Sequence, residues 1–171
     1  MTTLEPKTNT RHGARVALPR QETSTTSLPF EKPTTLTRAV QKAVRELDQT
    51  SLRPVSRRDA GVAFQPRMLV AVLSYCYARG IYGSAEIENV MRRDKNFRAF
   101  CQNEFPYAHT IASFRRHNRD AIRDCLAAVL RFLGMQIDPL RRDELCESQF
   151  AAEADRRIAH AVLMDSIDRD G

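Results

Sequence analysis

Residues 64–84 read Phe-Gln-Pro-Arg-Met-Leu-Val-Ala-Val-Leu-Ser-Tyr-Cys-Tyr-Ala-Arg-Gly-Ile-Tyr-Gly-Ser, and this stretch decides the fold class. Pro66 suits a first helical turn, where its missing N–H costs little. Gly80 is placed to close the helix in a left-handed cap. Between them, Met68 to Leu73 is apolar without a break. A helix that is apolar all round is covered on most of its sides. The spacing therefore predicts a central helix over Gln65–Arg79 with other helices packed around it.

Working outward, the neighbours carry helical periods too. Before it, Leu36, Ala39, Val40, Ala43, Val44 and Leu47 recur at three- and four-residue steps, which predicts a helix over Pro33–Asp48. A polar loop with Arg53, Pro54, Arg57, Arg58 and Gly61 follows. After Gly80, Ser84 offers an N-cap for a short helix lined by Ile87, Val90 and Met91. Asp94 can cap a fourth helix carrying Phe97, Phe100 and Cys101. Beyond Pro106, one long helix is expected from Tyr107 to Leu133, with Ile111, Phe114, Ile122, Cys125, Leu126, Val129 and Leu133 inward. Gly134 should stop it, and Pro139 marks a loop. A last helix is expected from Glu144 to Ile167, with Ala154, Ile158, Ala161 and Val162 as its apolar stripe.

No segment alternates in the period of two that a half-buried strand needs. The expectation is an all-α helical bundle whose core joins Leu69, Leu73, Phe97, Phe100, Ile111 and Phe114. Residues 1–32 are rich in Thr, Ser, Pro and charge and lack an apolar period, so a disordered tail is expected there. The division is then a tail over 1–32, a helical domain over 33–134 and an acidic C-terminal helix over 135–171.

Composition narrows the function. The 171 residues carry a net charge of +6, and the basic residues are concentrated. Residues 90–119 hold seven Lys and Arg against two acids, whereas residues 120–171 hold seven against eleven. A clustered positive charge points to a polyanionic partner. The four cysteines lie more than 20 residues apart with no Cys-x-x-Cys pair. A zinc site is therefore not supported; three of the four sit in apolar helical contexts, where buried thiols are expected, and the reading is a reducing cytoplasm. No run approaches the ~18–20 apolar residues of a membrane span, and the start has no signal-peptide pattern. No cofactor or metal is expected.

The segment Asp94–Asn118 has the pattern of a helix-turn-helix unit: a short aromatic helix, a turn at Pro106, then a longer helix. In such units the second helix enters the major groove of DNA. Its opening residues His109, Thr110, Ser113 and Arg116 should be exposed and approach base edges. Arg92, Arg93, Lys95 and Arg98 should grip phosphates, with Arg115 and Arg119 on the flanking backbone.

Several of these stretches match a family pattern. Pro66-Arg67-Met68-Leu69 resembles the signature that opens the N-terminal domain of many bacterial insertion-sequence transposases of the DDE type. Tyr75-Cys76-Tyr77-Ala78-Arg79-Gly80-Ile81-Tyr82-Gly83-Ser84 is similar to the continuation of that signature. Ile87-Glu88, Arg92-Arg93-Asp94, Phe97-Arg98 and Thr110-Ile111-Ala112-Ser113-Phe114-Arg115-Arg116-His117-Asn118 follow in the family's order. The resemblance runs from about Leu36 to Asn118. One departure is the turn Pro106-Tyr107-Ala108-His109, where many members have Pro-Asp-His.

The resemblance implies binding of double-stranded DNA, such as transposon terminal inverted repeats. It also implies a catalytic domain of RNase-H-like fold that binds two divalent ions through acidic residues on and near strands. The helical pattern after Asn118 offers no such strands, so binding without catalysis is expected. Asp165, Asp168 and Asp170 read as solvated carboxylates at a helix end. A second reading is a protein-interaction module, in which the helices after Phe114 join a second copy or a catalytic partner chain.

Overall fold

The computed structural model describes residues 34–48, 50, 52–54, 64–94, 97, 105–137 and 146–170. All lie within one unit, residues 32–171. Six helices order these residues: α1 (Thr35–Glu46), α2 (Pro66–Ala78), α3 (Ser84–Arg93), α4 (Ala108–His117), α5 (Arg119–Ile137) and α6 (Glu147–Asp170). No strand occurs among the described residues, and the fold is all-α. The expected tail over 1–32, the fourth helix with Phe100 and Cys101, and the Pro139 loop lie outside the described residues.

The central helix forms as its sequence dictates. Pro66 occupies the first turn of α2, and the buried residues Leu69 to Ser74, Cys76 and Tyr77 leave it almost no solvent face. Gly80 adopts φ 81°, the left-handed conformation that an L side chain resists. There Ile81 N–H donates to the Cys76 carbonyl at 2.9 Å and Gly80 N–H to that of Tyr77 at 3.2 Å. This is the paired C-terminal closure that satisfies otherwise orphaned carbonyls.

Around α2, helix α5 lies against α1, α2 and α6, while α3 bridges α4 and α6. The core joins Ala39, Val40 and Ala43 of α1, Ile87 and Met91 of α3, and Ile111 and Phe114 of α4. Ile122, Cys125, Leu126 and Val129 of α5 and Ala154, Ile158 and Ala161 of α6 complete it, and Phe97 is buried with them. Each fully buried large aliphatic side chain contributes roughly 1.5–3 kcal/mol.

Four local expectations are corrected. The first helix begins at Thr35, two residues after Pro33, because the Thr34 hydroxyl caps it by accepting from Thr37 N–H at 3.2 Å. The long helix from Tyr107 is two helices that meet at Asn118, whose φ of −126° departs from the helix. The Asn118 amide donates to the carbonyls of Phe114 and Arg53, each at 3.1 Å, and its oxygen accepts from Arg53 N–H at 2.7 Å. A side chain that binds the backbone of both its own helix and a distant loop makes a corner without glycine or proline. Gly134 does not stop α5, which runs on to Ile137. Val162 is 44% exposed and stands outside the buried stripe of α6.

Candidate nucleic-acid interface

Helices α3 and α4 start without a side-chain cap of their own, at Gly83 and Tyr107. Each instead receives a carboxylate from another helix. Asp165 of α6 accepts from Ser84 N–H at 2.7 Å and from the Ser84 hydroxyl at 2.8 Å. Ser84 is thus the capped residue, not the cap. Glu88 of α3 accepts from Ala108 N–H at 2.7 Å, at the start of α4. A carboxylate at a helix N-terminus satisfies an orphan donor and complements the helix dipole.

Glu88 also holds Arg92, with Oε1 2.9 Å from the guanidinium. The same guanidinium lies 5.6 Å from the Phe105 ring centre and 5.7 Å from that of Tyr107. Tyr107 in turn stacks on His109 at 5.8 Å. The approach to α4 is therefore a ladder of cation and rings. The partial positive charge at its first turn is already answered by Glu88.

The residues of α4 divide sharply. His109 and Arg116 are exposed and Ser113 is partly exposed, so the three form one line at helical spacing. Thr110 and Arg115 do not join them. Thr110 is 1% exposed and Arg115 2%. In α4 each residue turns by about 100°, which sets both positions roughly 70° from the centre of the Ile111–Phe114 stripe. Such flanking positions turn inward when further helices close over them.

Arg115 donates to the Tyr77 hydroxyl at 2.9 Å and is ion-paired with Asp165. Burial works against its charge, but Tyr77 and Asp165 outweigh that and hold the guanidinium above its ordinary range. Burial also pushes the Tyr77 phenol up to about 12. Tyr77, Arg115, Asp165 and Ser84 thus form one polar node joining α2, α4, α6 and α3. Asp165 is a buried structural carboxylate, not a solvated one. With both its oxygens committed there, it is poorly placed to serve a two-ion site. Among the described residues no group of three His, Cys, Asp or Glu could hold a metal ion.

The remaining expected residues are scattered. Arg93 is exposed in the last turn of α3. Arg119 opens α5 and pairs with Asp155 at 3.4 Å. Lys95 and Arg98 lie outside the described residues. An open groove of about 310 Å³ runs between α3, α4 and α6, and both His109 and Arg116 face it. Asp168 lines the same groove and tempers its positive charge. Of the thiols, Cys76 and Cys125 are buried as expected, and burial pushes Cys125 up to about 11. Cys146 is exposed.

Sequence reasoning missed Glu88, Tyr77 and Asp165. Glu88 carried a local signal, four residues before Arg92. Asp165 carried none, since it lies 50 residues from Arg115.

The family described as Transposase domain (DUF772) matches residues 29–117. That is just over half of the chain. The chain belongs to this transposase-domain family. The matched residues take in α1 to α4 and end one residue before the Asn118 corner. Asp165, on which the buried Arg115 of the transposase domain depends, comes from beyond them. No curated protein and no solved structure matches the chain.

Proposed function

We propose that this transposase-family chain binds duplex DNA with α4 as its reading helix. The observation that carries the reading is the exposed line His109–Ser113–Arg116 on a helix whose other side is buried. His109 and Ser113 hydrogen-bond to base edges, and Arg116 takes a guanine or a phosphate. Arg93, with Lys95 and Arg98 after it, contacts phosphates. Arg92 adds a cation whose position is set by Glu88 and the two rings. Arg119 reaches the flanking backbone at the expense of its pairing with Asp155. Burial removes Thr110 and Arg115 from the contact set. The role is binding without strand cleavage, and the fitting target is the terminal inverted repeat of a related element.

Fluorescence anisotropy tests this with an inverted-repeat duplex and a scrambled one at several salt concentrations. Arg93→Ala should weaken binding to both duplexes alike. Arg116→Ala should reduce the preference between them, by roughly 1–3 kcal/mol if the contact is bidentate to a base. No binding to either duplex at low salt defeats the reading.

A second reading, as an interaction module, draws on α6. Leu163 and Ile167 are 57% and 56% exposed, away from the stripe Ala154, Ile158 and Ala161. Adjacent exposed apolar residues suit a second copy or a catalytic partner chain. A monomeric mass by sedimentation across the micromolar range, with no complex formed with a catalytic partner chain, removes it.

A further inference from the structure

The solvent side of α1 carries Arg38, Lys42 and Arg45 at steps of four and three residues, all exposed. They stand opposite Ala39, Val40 and Ala43, which are buried on the core. Among the described residues no ion pair engages any of the three. The contrast with the other end of the chain is plain. There Arg119 pairs with Asp155, Arg123 with Asp120 and Asp124, Arg131 with Glu147, and Arg156 and Arg157 with Glu153. A helix surface that is merely solvated tends to intersperse both signs, as α5 and α6 do.

The composition of the face selects its partner. Its exposed members are Thr35, Arg38, Gln41, Lys42, Arg45 and Glu46, with no apolar residue among them. A protein interface needs an apolar or aromatic centre, and a membrane-surface helix needs an apolar face to insert. A phosphate backbone needs neither, since the contact works by releasing condensed counterions. From Arg38 to Arg45 the helix rises about 10.5 Å, which lets the three cations reach separate phosphates. Beyond α1, the exposed Arg53 is pinned by its backbone to Asn118 at the end of α4. Helix α1 packs on α5, the helix that continues from α4 beyond the Asn118 corner.

We propose that Arg38, Lys42 and Arg45 form a second, sequence-independent contact surface for the phosphate backbone of duplex DNA. This rests on the DNA-binding reading of α4 and extends it to the opposite end of the matched domain.

The test compares the whole chain with R38Q/K42Q/R45Q on a 30-base-pair duplex, in inverted-repeat and scrambled versions, from about 50 to 200 mM salt. Three lost contacts should lower the slope of log affinity against log salt by about 2.7. Over that fourfold range the unaltered chain should lose roughly 40-fold more affinity than the variant. The loss should be the same for both duplexes, and the melting temperature should hold, because the three side chains are exposed and in no ion pair among the described residues. If the variant melts early, the single substitutions replace it, each expected to lower the slope by about 0.9. An unchanged slope in a chain that still binds duplex overturns this proposal and leaves the α4 reading standing. Failure of the unaltered chain to bind any duplex overturns both.

Discussion

The two faces of α4 carry polar groups in opposite situations. On the inward face, both terminal nitrogens of Arg115 are engaged, one by Tyr77 and the other by Asp165, while its buried Nε has no partner among the described residues. On the outward face, its chain neighbour Arg116 is exposed and bonded to no carboxylate among the described residues. A buried ion pair is held by its geometry, and breaking it leaves an uncompensated charge. An exposed cation costs almost nothing to remove, so its value lies in what it meets. The difference teaches which arginine holds the bundle together and which is available to a ligand, although the sequence presents them side by side.

The largest expected effect breaks the inward face. Asp165→Ala strands the Arg115 guanidinium and uncaps Ser84, and should cost about 3–5 kcal/mol in chemical denaturation. Replacing Arg115 and Asp165 together with apolar residues of similar size should cost much less. Equal losses in the single and double variants would show that the pair is not coupled.

Tyr77 tests the same node through pH. Its folded-state value of about 12 lies above the ordinary value of 10.0, chiefly because burial disfavours the phenolate. A raised value contributes stability that is fully present below pH 10 and is lost as pH climbs toward 12. The loss should be on the order of 2 kcal/mol. The difference between the ultraviolet titrations of the unaltered chain and Tyr77→Phe should report a phenol that ionises late. A Tyr77 phenol that ionises near pH 10 would contradict its burial.

Thr110 sharpens the comparison in the other direction. Its hydroxyl is buried and has no hydrogen-bond partner among the described residues. Thr110→Val keeps the shape and removes an unsatisfied polar atom. It should raise stability by up to about 1 kcal/mol and leave duplex binding unchanged. A fall in binding with stability intact would return Thr110 to the contact set.

The smallest effect belongs to the outward face. Arg116→Ala should change stability by no more than about 0.5 kcal/mol, the usual range for an exposed position. A loss of several kcal/mol would mean that Arg116 supports the fold as Arg115 does.

By itself the sequence determined the elements and the family. The apolar run Met68–Leu73 between Pro66 and Gly80 made α2 central, because a helix with no polar side must be covered. The Gly80 cap and the periodic stripes of α1, α3 and α6 were equally local, and motif order placed the transposase domain where the family matches. Tertiary structure decided the rest. The corner at Asn118 depends on the backbone of Arg53, 65 residues away. The inward turn of Thr110 and Arg115 depends on flanking helices, since periodicity fixes the centre of a buried face but not its edges. The Arg115–Asp165 pair joins residues 50 apart, and no local spacing encodes such a partner. That pairing arises only when α6 is brought against the start of α3 and the last turn of α4, where burial makes an unpartnered charge too costly to leave.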